Sequence, residues 1–273
     1  MGGRPDPLKN AVRLDTLLVE RGLAASRERA RALVLAGSVR VNGQPAAKAG
    51  TSVPLDAEIA VAAADHPYVG RGGLKLAHAL ETFHIDVTGR TALDVGASTG
   101  GFTDVLLQRG AARVVALDVG RGQLDWKIRS DPRVDVLERF NARTLTAADL
   151  PLGSAPFGIV TIDVSFISLR HILPVVPPLL REEGDVVALV KPQFEAGREA
   201  VGKGGIVRDP EARARAAVAV AERFTADGLG VVAVVASRLP GREGNREIFV
   251  LARKGDAGLA PGRIGVLARE AAE

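Results

Sequence analysis

Residues 94–103 read DVGASTGGFT and follow the short apolar run Thr91-Ala92-Leu93. A leucine-rich segment comes next, so a strand, a glycine-rich turn and a helix start are legible in one stretch. Turns of this build hold nucleotides. A Walker loop needs GxxxxGK[ST]; GASTGGFT (96–103) has Phe102 where the lysine must stand, which leaves the phosphates of a nucleoside triphosphate unmatched. A dinucleotide fingerprint needs GxGxxG, and the order here is GxxxGG. The third candidate ligand is S-adenosyl-L-methionine, which brings a ribose and a charged amino acid end but no pyrophosphate. Gly96, Ala97, Ser98 and Gly100 are small enough to let the backbone approach it closely. Asp94 opens the turn, and Asp118, at the end of the next strand, suits the ribose hydroxyls. Asn141, after a third strand, stands where such sheets meet an adenine.

Outward from this turn, strands alternate with helices. Strand candidates are 91–95, 113–119, 134–138, 158–164, 185–191, 231–237 and 247–253. The pattern predicts an α/β fold, a doubly wound Rossmann-like sheet over residues 71–273. The last two strands lie close together in sequence, so the sheet is expected to be mostly parallel with an antiparallel last strand.

Residues 1–64 read as a separate small α+β unit, with 1–10 as a loose arm and 65–70 as a linker. Leu14, Leu17 and Leu18 recur at helical spacing, and Gly22 can end that helix. Ser26 suits the N-cap of a second helix, Arg27 to Ala36, closed by Gly37. VRVNG (39–43) reads as a strand running into an Asn-Gly turn. The unit carries nine Lys/Arg against six Asp/Glu, and Arg27, Arg31 and Arg40 can share a face. That excess, with a whole-chain charge of +4, points toward a polyanion.

Composition narrows the chemistry. The 273 residues contain no cysteine, which excludes disulfides, thiolate nucleophiles and Cys-ligated zinc. The four histidines show no HExxH spacing, so no metal is expected. No apolar run approaches the ~18 residues of a membrane span, and the N-terminus lacks the apolar core of a secretory signal. The expected location is the cytoplasm, without a membrane partner; nothing in the sequence sets an oligomeric state.

Four charged residues fall where doubly wound sheets do their chemistry. Lys191 ends the strand VVALVK, Asp163 ends GIVTIDV, and Glu247 begins the last strand. Lys75 starts the amphipathic helix GLKLAHALETF. Amino-group methyltransferases carry [ND]PP[YF] where this chain has DVSF, and ring-carbon RNA methyltransferases need a cysteine. A hydroxyl oxygen remains as the methyl acceptor. Phe166 in DVSF is a candidate neighbour of the cofactor. The loop FEAGREAVGKGGIVRD (194–209), with Arg198 and Lys203, is expected to move and to touch RNA phosphates, as is Arg71 in the glycine-rich start of the large unit.

Two resemblances extend this reading. SRERARALVLAGSVRVNGQPAAKAG (26–50) resembles the S-four-type RNA-binding domain, whose second helix and following turn present basic residues to structured RNA. The K-D-K-E set and the glycine loop resemble the FtsJ-like ribose 2′-O-methyltransferases. With YVGRGGLKL, ALDVGRGQLDWK, LVKPQFE, GKGGIVRD and GNREIFV, the chain is similar over nearly its whole length to the TlyA (haemolysin A) family. The resemblance implies methylation of cytidine 2′-hydroxyls in ribosomal RNA, in the large subunit and, for members with a longer N-terminal domain, also the small one. It places Lys191 nearest the 2′-oxygen, as a base or as a charged guide, with Asp163 holding it and Glu247 and Lys75 orienting the ribose or its phosphate. Burial and Lys75 favour a neutral Lys191; the two carboxylates favour the charged one. Rival readings are a small-molecule O-methyltransferase, a membrane-lytic protein, and a non-catalytic RNA-binding or ribosome-assembly factor.

Overall fold

The computed structural model describes residues 11–24, 26–61, 66–151, 153–241 and 243–273. The first part holds β1 (Ala11–Arg13), α1 (Leu14–Glu20), α2 (Arg27–Ala36), β2 (Val39–Val41), β3 (Gln44–Pro45), β4 (Ser52–Pro54) and β5 (Ile59–Val61). Ser26 caps α2 by accepting from the Arg29 amide at 3.1 Å, and Gly37 ends it at φ +79°. Asn42 and Gly43, both at positive φ, turn β2 into β3. Strands β3, β2 and β5 form one small sheet, and β1 pairs with β4. Leu14, Leu17, Leu18, Val34 and Val39 close a core of their own beneath them.

The larger part runs α3 (Arg71–Thr82), β6 (Thr91–Val95), α4 (Gly101–Gln108), β7 (Arg113–Asp118), α5 (Trp126–Arg129), β8 (Val134–Glu138), β9 (Phe157–Ile162), β10 (Leu180–Val190), α6 (Pro192–Glu195), α7 (Pro210–Ala226), β11 (Leu229–Ala236), β12 (Ile248–Lys254) and α8 (Pro261–Ala272). Its seven strands lie in the order β11-β12-β10-β9-β6-β7-β8. The pairs from β10 to β8 are parallel, and β12 runs antiparallel to both its neighbours. The expected sheet is therefore present, with the reversed last strand lodged between β10 and the edge strand β11.

The central strands are buried on both faces, as their continuous Val/Ile/Leu runs require. One face packs on α7 and α8 through Phe157, Val220 and Phe224; the other packs on α3 and α4 through Leu76, Leu80, Phe102 and Leu106. Each buried leucine contributes on the order of 2 kcal/mol. From β6 the chain winds outward through β7 to β8, then returns to the other side of β6 as β9. The carboxyl ends of β6 and β9 thus flank a topological switch point, where ligands of doubly wound sheets bind. The expected boundary at 64/65 falls outside the described residues, as does the arm 1–10. No helix among the described residues is long and apolar enough to cross a membrane.

Candidate active site

A cavity of about 630 Å³ opens at that switch point. The turn after β6 (Gly96, Ala97, Ser98, Thr99), the end of β9 (Asp163, Ser165, Phe166) and the end of β10 (Lys191, Gln193, Phe194) line it, together with Lys75 and Glu247. Four charged groups from four elements, distant in sequence, thus meet in one space.

They meet as two ion pairs. Lys75 Nζ donates to Glu247 Oε2 at 2.6 Å, with side chains 12% and 3% exposed. Burial pushes the Glu247 carboxyl above its ordinary range, and the nearby Lys75 opposes that shift. Lys191 Nζ lies 2.6 Å from Asp163 Oδ1. That contact is an ion pair without hydrogen-bond alignment, because Asp163 Oδ1 has no hydrogen-bond partner while Lys191 donates to Ser165 Oγ at 2.9 Å. Ser165 was not singled out in the sequence, although it lies two residues beyond Asp163.

Below this pair the loops after β9 and β10 are fastened together. Glu195 is buried and accepts from Ser168 Oγ at 2.6 Å and from the Leu169 amide at 2.7 Å. Burial raises its carboxyl too, against the pull of these two donors. Above it Phe166 stands 92% exposed, at φ +66°. A bulky residue held in left-handed backbone is a strained one. Its ring lies 5.4 Å from that of Phe194, so two aromatics flank the cavity mouth.

The nucleotide-turn residues divide into two groups. Gly96 sits at φ +88°, and a Cβ there would lie 2.4 Å from the Asp163 carbonyl oxygen; only glycine fits. Gly100 caps α4 at φ +93°. Asp118 accepts from the amides of Ser98 (2.8 Å) and Gly120 (2.6 Å), tying the two turns together. Ala97, Ser98, Asp118, Gln123 and Glu138 line a small cleft beside the main cavity. Asp94 lines neither space. It is buried between Thr103 Oγ1 (2.7 Å) and Thr161 Oγ1 (3.0 Å), and burial lifts its carboxyl to about 7 against those two hydroxyls. Asn141 is exposed, caps the turn 142–144 through the Arg143 amide and lies outside both spaces.

The basic residues also sort themselves. Arg27 and Arg31 converge on the buried Asp15 at 3.2 and 3.3 Å, joined by Arg13 at 2.8 Å, which the sequence reading passed over. The Arg13 guanidinium holds the Asp15 carboxyl well below the usual carboxylate range. Arg40 is exposed and donates to the Gly43 carbonyl. Arg71 lines the cavity and packs against Gly37 of the small part, beside Lys48 and Leu35 on the same wall. Arg29 reaches across to Asp125 at 2.6 Å. Arg198 and Lys203 are exposed. Their loop is fastened rather than free: Asn245 bonds its backbone at Gly205 and Val207. Among the described residues no group of three or more His, Asp or Glu could hold a metal ion.

The sheet order, the glycine turn at the switch point and the strand-end carboxylates together define the Rossmann-type fold of S-adenosylmethionine-dependent methyltransferases. The FtsJ-like methyltransferase profile matches residues 68–254, and the S4 domain profile matches residues 12–59. The chain belongs to the FtsJ-like methyltransferase family, in its TlyA branch, and carries an S4 domain at its N-terminal side. It is 51% identical, over 88% of its length and 89% of the relative's, to the 16S/23S rRNA (cytidine-2′-O)-methyltransferase TlyA of Mycobacterium tuberculosis. It is 40% identical to Hemolysin A of Brachyspira hyodysenteriae, over 86% of this chain and 97% of that one. A solved structure from Streptococcus thermophilus, provisionally titled a hemolysin, superposes with a TM-score of 0.73 at 40% identity and covers 96% of each chain.

Proposed function

We propose that the protein transfers a methyl group from S-adenosyl-L-methionine to the 2′-hydroxyl of cytidines in ribosomal RNA of the large subunit, and of the small subunit as well, in the cytoplasm. The observation that carries this reading is the pairing of Lys191 with Asp163 and of Lys75 with Glu247 in one cavity with the Gly96 turn. The 51% identity to a relative named for that reaction supports it.

The residues present fit the cofactor. The backbone at Gly96 approaches Asp163 so closely that a side chain would fill the cradle. Both Asp118 oxygens take one amide each, which leaves lone pairs for ribose hydroxyls. The cofactor, when bound, supplies a methyl group on a sulfonium that departs as a neutral thioether. Asp163, already paired with Lys191, would supply negative charge in the same cavity to that positive centre.

A ribose hydroxyl needs orientation more than activation for such an in-line displacement. Lys191 Nζ, 2.6 Å from Asp163 Oδ1 and donating to Ser165 Oγ, is held to act as a guide. Its ammonium, steadied by Ser165, donates to one lone pair of the 2′-oxygen and aims the other. The hydroxyl proton leaves to water as the new carbon–oxygen bond forms. Lys75, held by Glu247, faces the ribose phosphate. Phe166 and Phe194 offer stacking faces to a base drawn out of its helix, and the arginines around Asp15, with Arg40, Arg71, Arg198 and Lys203, meet phosphates.

The test is methyl transfer from labelled S-adenosylmethionine to unmodified small and large ribosomal subunits, with Lys191→Ala as control. Label mapped to a cytidine ribose, and lost in the variant while cofactor affinity persists, is the expected result. Absence of label in either subunit with cofactor still bound overturns the reading.

A further inference from the structure

Asn245 joins two parts of the molecule that the proposed reaction needs to act together. Its side chain is buried. Oδ1 accepts from the Val207 amide at 2.9 Å, and Nδ2 donates to the Gly205 carbonyl at 2.8 Å. One bond goes to the backbone of the turn 202–206 and the other to the residue that leaves it; the turn closes on itself through the Gly202 amide to the Ile206 carbonyl at 3.0 Å. Val201 and Gly205 line the catalytic cavity, and Lys203 stands exposed at the tip of the turn.

On its other side Asn245 belongs to the tight bend that delivers Glu247. Its carbonyl accepts from the Gly241 amide at 2.8 Å, and the Gly244 amide donates to the Gly241 carbonyl at 2.9 Å. The bend wraps Glu247 closely: a Cβ on Gly241 would lie 2.5 Å from Glu247 Oε1. A single residue, Arg246, therefore separates the tether of the 202–206 turn from the carboxylate that holds Lys75.

Lifting the turn would strip both polar ends of a buried amide at once, so turn and side chain have strong reason to move as one piece. A shift of Asn245 is a shift of the chain entering β12, and that is the chain that aims Glu247.

We infer that Asn245 is a positioning residue that carries engagement of the 202–206 turn by RNA to Glu247. The inference rests on the RNA-methylating reading above.

The experiment uses the full chain and unmodified ribosomal subunits. Steady-state kcat and KM for RNA, cofactor affinity and melting temperature are measured for wild type, Asn245→Ala, Asn245→Asp, Lys203→Ala and the Lys203→Ala/Asn245→Asp double variant. Asn245→Asp keeps the acceptor for Val207 and loses the donor to Gly205, so it remains informative where the alanine variant fails to fold. The expected result is a fall in kcat of ~10-fold for the Asn245 variants at saturating RNA, with cofactor affinity within ~2-fold of wild type. Lys203→Ala should cost ~5-fold in wild type and nearly nothing in the Asn245→Asp background, the non-additivity expected of coupled residues. Unchanged kcat per folded molecule, or multiplicative effects of the two substitutions, overturns the inference. Wild-type protein that labels no RNA would instead overturn the reaction itself, before the variants are compared.

Discussion

Lys75 and Glu247 stand 172 residues apart in the chain and meet at 2.6 Å inside the cavity. Helix α3 brings one and the reversed strand β12 the other, so their pair ties the first and last parts of the large unit together. Breaking a buried pair leaves an uncompensated charge, which costs about 3–5 kcal/mol, whereas replacing both partners by apolar groups costs far less. Lys75→Met should therefore lower the melting temperature by roughly 10 °C. Lys75→Met/Glu247→Leu should recover most of that and remain inactive. Calorimetry and methyl transfer on the same preparations check both outcomes.

Gly96→Ala should abolish cofactor binding. The added methyl meets the Asp163 carbonyl in backbone that alanine disfavours. We expect a loss of affinity of ~100-fold or more, on the order of 3 kcal/mol, read by calorimetric titration. Near-normal affinity would show that the turn does not cradle the ligand.

Phe166→Gly should separate stability from turnover. The backbone at φ +66° suits glycine, and the ring is almost fully exposed, so the melting temperature should hold or rise slightly. Loss of a stacking face worth about 1–3 kcal/mol should weaken RNA engagement by ~5- to 150-fold. A variant with wild-type kcat/KM would remove Phe166 from the RNA path.

Asp94 makes the stability depend on pH in a direction unusual for a carboxylate. Its folded-state value near 7 lies above the ordinary 3.8, so the folded protein holds the proton more tightly. Its contribution is complete below about pH 4 and is lost as pH rises toward about 7. Asp94→Asn keeps the neutral shape. The melting temperature of this variant relative to wild type should therefore climb between pH 4 and pH 8. A difference that stays flat would mean that Asp94 is ionised in its threonine pocket.

Arg27→Ala should weaken RNA binding without changing the base preference, and should reduce the salt slope of affinity by about one unit, as expected for loss of one phosphate contact. Binding measured across a range of salt concentrations checks it. An unchanged slope would mean that Arg27 serves Asp15 alone.

The parts legible in the sequence share a cause. Lys191, Asp163 and Glu247 adjoin apolar strands, and Lys75 opens an amphipathic helix, so local pattern located all four at one sheet edge. The capped helix at Ser26 and the turn at Asn42-Gly43 were readable for the same reason. What escaped depends on where side chains point between elements. Asp94 turns inward to Thr103 and Thr161, and Asn141 spends its oxygen on its own turn. Arg13 belongs to the arginine cluster only because α1 packs on α2 and so sets Asp15 between Arg13 and the α2 arginines, and Ser165 matters only because Lys191 reaches it. The 194–209 loop reads as free from its glycines, but its anchor, Asn245, lies dozens of residues away.

One wall of the catalytic cavity is made by Leu35, Gly37, Ala47 and Lys48, all within the stretch matched by the S4 domain. The chamber is therefore a joint product of two modules, and neither encloses it alone. Grafting a foreign RNA-binding module onto residues 68–254 would retarget the enzyme only if the graft rebuilt that wall. Affinity and chemistry are not interchangeable cassettes in this chain, and selection on one module is felt at the reacting atoms of the other.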